Sequence, residues 1–146
     1  MNYVIDRQGL FPRIDEEVSR IANETYADDG TSLYDNIIIT SIDKPTIERL
    51  EDDVINDFIK RTFDICTFFL QAETEDAELV FNVPGFDVTM EDVTEREITR
   101  YIVLGTCAAW FRSRCTGRVE EYTARAQEAM GKAVTLMKSI KAPSRI

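Results

Sequence analysis

The sequence predicts a mainly α-helical protein: a four-helix arrangement with a long central helix, a C-terminal helical hairpin and a small β element. Three observations carry this prediction. Residues 101–111 are apolar on every side, residues 119–140 repeat apolar positions at three and four residues, and a longer stripe of the same period follows Asp43-Lys44-Pro45. At 146 residues, we expect a single domain.

The first thirteen residues are predicted to form an extended arm, because Gly9 and Pro12 interrupt any helix there. Tyr3 and Phe11 are the candidates for contact between this arm and either its own core or a neighbouring molecule. Residues 14–27 follow as a short amphipathic helix. The apolar face of that helix comprises Ile14, Val18, Ile21, Ala22 and Tyr26.

Residues 33–42 allow two interpretations. The β-branched run Ile37-Ile38-Ile39-Thr40 favours a strand, whereas tertiary packing would hold the same residues in a helical turn. Gly30, just before this segment, is expected to end the preceding helix in a left-handed conformation.

The central helix is predicted to run from Asp43, as its N-cap, to about Leu70. At 1.5 Å per residue it would be roughly 39 Å long. Its last third, residues 63–70, is nearly all apolar and is expected to pack against residues 101–111. Residues 78–83 then predict a strand, whose partner is either Ile37–Thr40 or a strand from another copy.

The C-terminal hairpin consists of two helices joined at a tight corner. Thr94 and Glu97 have the spacing of a capping box at the start of the first helix, and Thr89 and Asp92 offer an earlier start of similar type. The apolar run 101–111 is too short to span a bilayer, which needs about 20 residues. It therefore predicts a buried core helix.

Two glycines and a threonine define the rest of the hairpin. Gly105 lies mid-helix and predicts the close approach of another helix. Gly117 separates the two helices, with Thr116 as the candidate N-cap of the second. Residues 141–146 are expected to form a flexible tail.

The residue inventory excludes several classes of chemistry. The chain has no histidine, which excludes Ser-His-Asp and Cys-His catalysis. The odd cysteine count, Cys66, Cys107 and Cys115 without a CxxC pair, favours free thiols in a reducing cytoplasm. No N-terminal signal peptide is expected.

Charge is distributed unevenly along the chain. The net charge is −10; residues 1–97 carry 24 Asp/Glu and 8 Lys/Arg, whereas residues 98–146 carry 3 and 9. The two parts thus have net charges of −16 and +6. This asymmetry predicts either an electrostatic interaction surface or two parts that neutralise each other within one fold.

Two clusters could carry chemistry. Asp53 and Asp57 share a helix face and could hold a divalent ion, although a solvated face is the ordinary interpretation. Arg112, Arg114 and Arg118 surround a predicted helix N-terminus and could contact an anion, the alternative being contact with acidic surface of this chain or of a neighbour. The other basic interaction candidates are Lys138, Lys141 and Arg145.

The order of elements resembles a known family. The residues that carry the resemblance are Ile98–Arg112, which ends in Trp110-Phe111-Arg112, and Tyr122–Arg145, which ends in the basic, Pro-containing Lys141–Arg145. In these features the chain resembles the small head–tail connector (adaptor) proteins of tailed bacteriophages.

The resemblance implies a non-enzymatic virion protein, assembled in the host cytoplasm, that forms a homo-oligomeric ring between portal-type and tail-completion proteins. DNA would pass through this ring without sequence-specific binding, and neither a cofactor nor a membrane is implied. Two alternatives remain: a cytoplasmic helical protein-interaction or regulatory domain, and a Mg²⁺-dependent carboxylate enzyme.

Overall fold

The computed structural model describes residues 2–4, 7–64, 67–71, 78–82 and 88–138, with side chains for 8–64 and 89–138. The protein is mainly helical, as predicted. Its four helices of 18 residues or more are α1 (Arg7–Glu24), α3 (Lys44–Thr62), α4 (Glu91–Arg114) and α5 (Val119–Met137), and a single turn, α2 (Tyr34–Ile37), lies between the first two. Short 3₁₀ turns at residues 41–43, 88–90 and 116–118 precede α3, α4 and α5.

Three short strands have the order β1-β3-β2, and both pairings are antiparallel. They are β1 (Asn2–Val4), β2 (Thr67–Gln71) and β3 (Glu78–Asn82). Tyr3 lies opposite Phe81, and Phe68 lies opposite the same residue on the other side. The partners of β3 are therefore neither Ile37–Thr40 nor a second copy.

Contacts between the long helices give their relative directions. Helix α3 is antiparallel to α4: Asp43 lies 4.0 Å from Arg114 at one end, and Asp57 accepts a hydrogen bond of 2.7 Å from Tyr101 further along. Helices α4 and α5 form the predicted hairpin. The bundle thus has a corner end, where α1 ends, α3 begins and α4 turns into α5, and a far end, where α3 and α5 end and α4 begins.

The core lies along α4, which is buried on most sides as its apolar run predicted. Phe111 packs edge-on against Tyr122 of α5, with ring centroids 5.0 Å apart. Gly105 confirms the predicted close approach, because a Cβ at that position would lie 3.0 Å from Val54 Cγ1 of α3. The largest fully buried side chains are Tyr122, Phe58, Phe111, Ile14, Ile21, Ile37, Ile47, Ile98, Ile102 and Glu51.

The predicted extended arm is wrong from Arg7 onward, where α1 begins. Leu10 is buried and packs in the same core as Ile14, so the helix gains apolar burial by starting early. Pro12 lacks the N–H for one backbone hydrogen bond, and that burial offsets the loss. Because α1 ends at Glu24, Tyr26 is exposed instead of lying on the helix face.

The predicted long helix to Leu70 is also wrong, since α3 ends at Thr62. Its 19 residues span about 28 Å, which makes the 24-residue α4 the long central helix. The apolar run that follows includes β2, whose β-branched and aromatic residues suit a strand. Asp43 does not cap α3 with its side chain; its carboxylate accepts hydrogen bonds from the backbone N and Oγ1 of Thr40.

Tertiary contacts determine the conformation of the ambiguous segment 33–42. Tyr34–Ile37 forms the helical turn α2, and Ile38 is extended. The indole Nε1 of Trp110 donates a 2.7 Å hydrogen bond to the Ile37 carbonyl, which ties this turn to α4. Gly30 has the predicted positive φ, +84°, but it lies in a turn six residues beyond the end of α1.

Both predicted caps of the hairpin are displaced. Thr94 lies inside α4, fully buried, and its Oγ1 donates to the Met90 carbonyl at 2.7 Å. Helix α4 begins at Glu91, close to the earlier of the two predicted starts. Helix α5 begins after the 3₁₀ turn at Val119, so Thr116 is not its N-cap.

Candidate interaction surfaces

The three corner arginines have different environments. Arg118 is bound by two carboxylates, Glu121 at 3.1 Å and Glu24 of α1 at 3.6 Å. Arg114 stacks on the Trp110 ring, 4.0 Å from its centroid, and lies 4.0 Å from Asp43. Arg112 is exposed and forms no ion pair with any residue that the structure describes.

These contacts explain what becomes of the charge asymmetry. The acidic partners of Arg114 and Arg118 include Asp43 and Glu24, which belong to the acidic part of the sequence. Helices α1 and α3 pack beside the basic hairpin, so the polarity along the chain is neutralised in space at the corner. The alternative interpretation of the sequence, contact within the chain, thus holds for two of the three corner arginines.

The other predicted interaction residues are scattered. Lys138 is exposed just after α5, at the far end. Phe11 is half-buried against the core on α1, and Tyr3 lies in β1, where only the backbone is described. Lys141 and Arg145 lie outside the described residues.

Asp57, one of the two α3 carboxylates that could hold a divalent ion, makes contacts within the protein instead. Asp57 accepts a hydrogen bond from the Tyr101 hydroxyl and lies 3.0 Å from Arg61 Nε. Burial, together with the hydrogen bond to Asp57, raises the pKa of Tyr101 above its usual range. Within the described ranges no group of three or more Cys, Asp and Glu residues could hold a metal ion.

A second polar cluster joins α1 to α5. Glu17 accepts hydrogen bonds from the Tyr122 hydroxyl at 2.8 Å and from Arg20 at 2.9 Å. Burial raises the pKa of Glu17, but these two hydrogen bonds and the charge of Arg20 outweigh burial and lower it. The carboxylate therefore stays ionised and clamps the two helices together.

The cysteines offer no activated nucleophile among the side chains described. Burial raises the pKa of the Cys107 thiol far above its ordinary value. A nucleophilic cysteine needs the opposite shift, because the thiolate is the reactive species. Cys115 is half-buried at the corner, and Cys66 lies outside the described residues.

Large apolar side chains are exposed at both ends of the bundle. At the corner end, Tyr26 is 61% and Ile42 87% exposed. At the far end, the exposed residues are Phe63, Met90 and Val93. None of the five was a predicted site residue. Ile42 lies in a 3₁₀ turn, where helix periodicity carries no signal, and Val93 precedes the apolar run 101–111 on which the prediction of its helix rested.

A groove of about 620 Å³ lies at the far end, between the first turns of α4 and the last turns of α5. Its lining is Val93, Glu97, Glu128, Gly131, Lys132, Thr135 and Leu136. The Oε2 atom of Glu97 is buried without a hydrogen-bond partner, 3.7 Å from Arg100 Nη1.

Two ion pairs border this groove: Lys132 lies 3.1 Å from Glu128, and Arg100 lies 3.7 Å from Glu97. On the face of α4 opposite Val93 and Glu97, burial, and after it the negative charges of Glu91 and Asp92, raise the pKa of Glu95. We call this feature, in which the apolar Val93 and Leu136 lie beside these ion pairs, the far-end groove.

Comparisons with protein-family models, curated proteins and solved structures found no match for this chain. Across residues 7–64 and 88–138, where the helices are described, none is long and apolar enough to cross a membrane.

Proposed function

We propose that this chain is a non-enzymatic structural component of a phage head–tail connector ring, which joins portal to tail and lets DNA pass. The observation that carries the proposal is the pair of different apolar surfaces at opposite ends of one bundle, Ile42 and Tyr26 at the corner end and the far-end groove with Val93 at the other. A ring of identical subunits needs two different surfaces on each copy, because its contacts are heterologous.

The electrostatics of the chain support passage of DNA without binding. The net charge is −10, and acidic residues of the same chain bind two of the three corner arginines. Affinity for DNA comes chiefly from cations that displace its counterions. A subunit with a net negative charge would repel the duplex and let it slide.

The proposed subunit combines the four-helix arrangement with a small β element, of which β1 precedes α1 and the other two strands lie between α3 and α4. Its proposed neighbours are other copies of the chain, a portal-type protein and a tail-completion protein. It would act in the virion after assembly in the bacterial cytoplasm.

A helical protein-interaction or regulatory domain is the second candidate, because it would use the same exposed apolar side chains on an unrelated partner. The two candidates differ in self-association. A connector subunit forms closed rings with itself or on a portal, whereas an interaction domain stays monomeric until its partner is present.

The test is the assembly state of the purified protein, measured by sedimentation velocity and negative-stain electron microscopy, alone and with a purified phage portal. We expect rings of uniform diameter under at least one of these two conditions. A protein that stays monomeric at every concentration and ignores the portal would refute the connector proposal and leave the interaction domain.

A further inference from the structure

A second groove lies on the side of the bundle, where α3 and α5 leave part of α4 uncovered. Its volume is about 330 Å³, at the lower end of the range for small-molecule sites, about 300–1,000 Å³. The small residues Gly105, Ala108 and Ala109 of α4 line it, together with the apolar Leu50 and Val54 of α3. We call this feature the lateral groove. Its small and apolar lining leaves space for the apolar part of a ligand.

Some of the polar groups in the lateral groove are already paired with one another. Asp57 accepts a hydrogen bond of 2.7 Å from the Tyr101 hydroxyl and lies 3.0 Å from Arg61 Nε. Arg61 also donates to Oε1 of Gln127, which joins α3 to α5. A ligand that used these charges would have to break contacts within the fold.

Two further charges line the groove without partners among the described residues. Asp53 of α3 and Arg112 of α4 are both exposed, and neither side chain forms an ion pair with any residue that the structure describes. A simple anion or a simple cation would pair with only one of them. A ligand that carries both an ammonium and a carboxylate group would pair with both at once.

The register of the two helices brings these charges within reach of one small molecule. Gly105 of α4 lies opposite Val54 of the antiparallel α3. Arg112 is seven residues beyond Gly105, and Asp53 is one residue from Val54 in the same direction. At 1.5 Å per residue, their backbones are therefore about 9 Å apart along the helix axes. Side chains lean towards the N-terminus of their own helix, so along the axes these two lean towards each other.

We propose that the lateral groove binds a small zwitterion, an apolar α-amino acid. The ammonium group pairs with Asp53, the carboxylate pairs with Arg112, and the apolar side chain lies over Ala108 and Ala109. Two charge-assisted hydrogen bonds of about 2.7–2.9 Å, one at each end, span about 6 Å. The remainder suits the short distance between the two charged groups of an α-amino acid. The guanidinium of Arg112 can donate to both carboxylate oxygens at once.

The experiment compares leucine with two molecules that each lack one of its charged groups. Isocaproate is leucine without the ammonium group, and isoamylamine is leucine without the carboxylate. A ligand that binds only the folded protein raises its melting temperature, so thermal melting at millimolar ligand gives the affinities. We expect a saturable rise with leucine and a much smaller one with either half-ligand. Backbone amide NMR shifts caused by leucine should map to residues 50–57 and 105–112.

Two variants each remove one of the unpaired charges. Arg112→Gln and Asp53→Asn change exposed side chains, so their melting temperatures without ligand should stay close to that of the wild type. Hydrogen bonds to charged groups are the stronger class, so each variant should weaken leucine binding by about tenfold or more. The matched controls are Arg96→Gln and Asp35→Asn, at exposed positions away from the groove, and both should bind leucine like the wild type.

Three results would overturn the proposal. The first is a melting temperature and amide spectrum that leucine leaves unchanged at millimolar concentrations. The second is isocaproate binding as tightly as leucine and ignoring Asp53→Asn, which would make the groove a site for anions alone. The third is leucine binding that neither variant weakens. The site goes beyond the connector proposal and does not depend on it: ring assembly without leucine binding, or leucine binding by a monomer, would separate the two.

Discussion

Trp110 connects three parts of the corner end. Its side chain is 2% exposed, its Nε1 donates a 2.7 Å hydrogen bond to the Ile37 carbonyl, and the Arg114 guanidinium covers its ring at 4.0 Å. Removing the indole therefore opens a cavity in the core, unpairs a carbonyl and releases Arg114.

Trp110→Ala is expected to lower the free energy of unfolding by about 3–5 kcal/mol, the usual cost of truncating a buried tryptophan. For a chain of this size each kcal/mol shifts the melting temperature by about 2–4 °C, so the loss is on the order of 10 °C. Trp110→Phe keeps much of the apolar volume but leaves the Ile37 carbonyl unpaired, which costs about 1–3 kcal/mol. Urea unfolding followed by circular dichroism measures both.

The control is Tyr26→Ala, an aromatic truncation at a side chain that is 61% exposed at the same end of the bundle. Its expected effect is within about 0.5 kcal/mol, as for most surface substitutions. An unchanged melting temperature for Trp110→Ala, or equal losses for Trp110→Ala and Tyr26→Ala, would refute the assignment of Trp110 to the core.

Two further predictions concern helix packing and the acidic cluster. Gly131→Ala should stabilise the protein by up to about 1 kcal/mol, because alanine has the higher helix propensity and no heavy atom lies within 4 Å of the added Cβ. Thermal melting should show a higher midpoint. A lower midpoint would contradict the open environment of this position. Asp57→Asn should cost about 1 kcal/mol, because Asp57 binds Tyr101 and Arg61, whereas the exposed Asp53→Asn should cost little. Calcium or magnesium should leave the melting temperature unchanged; a saturable rise abolished by Asp57→Asn would favour the enzyme alternative.

The sequence correctly predicted the two helices in which the pattern of apolar residues matches the side chains that the helix buries. The all-round apolar run in α4 and the stripe in α5 report directly on the core, so both helices lie where the pattern placed them. Local pattern failed where long-range contacts decide. Leu10 packs in the core, and α1 accordingly begins at Arg7, before Pro12. The residues after Thr62 contribute a strand and do not prolong α3.

The candidate site was less predictable than the fold for the same reason. Sequence shows which residues are charged but not which charges meet, so Arg114 and Arg118 looked available although the fold pairs both. Ile42 follows the β-branched run Ile37–Thr40 after a single serine, and the pattern of this segment does not separate its buried from its exposed isoleucines. Ile37 is fully buried and Ile42 is 87% exposed.

A pair of charge reversals tests whether the corner is an internal contact or a docking surface. Arg118→Glu would place a carboxylate beside Glu24 and Glu121, replacing two ion pairs with repulsion. Each exposed pair is worth about 0.2–1 kcal/mol, so we expect a loss of about 1 kcal/mol that shrinks in 1 M salt, where the Debye length is about 3 Å.

Arg112→Glu is the matched control, because Arg112 is equally close to the corner but pairs with no described residue. Its effect on monomer stability should stay within about 0.5 kcal/mol. Chemical unfolding at low and high salt separates the two variants. If Arg118→Glu left the monomer as stable as the wild type but abolished assembly, Arg118 would face a neighbour, and the charge asymmetry of the sequence would serve association instead of folding.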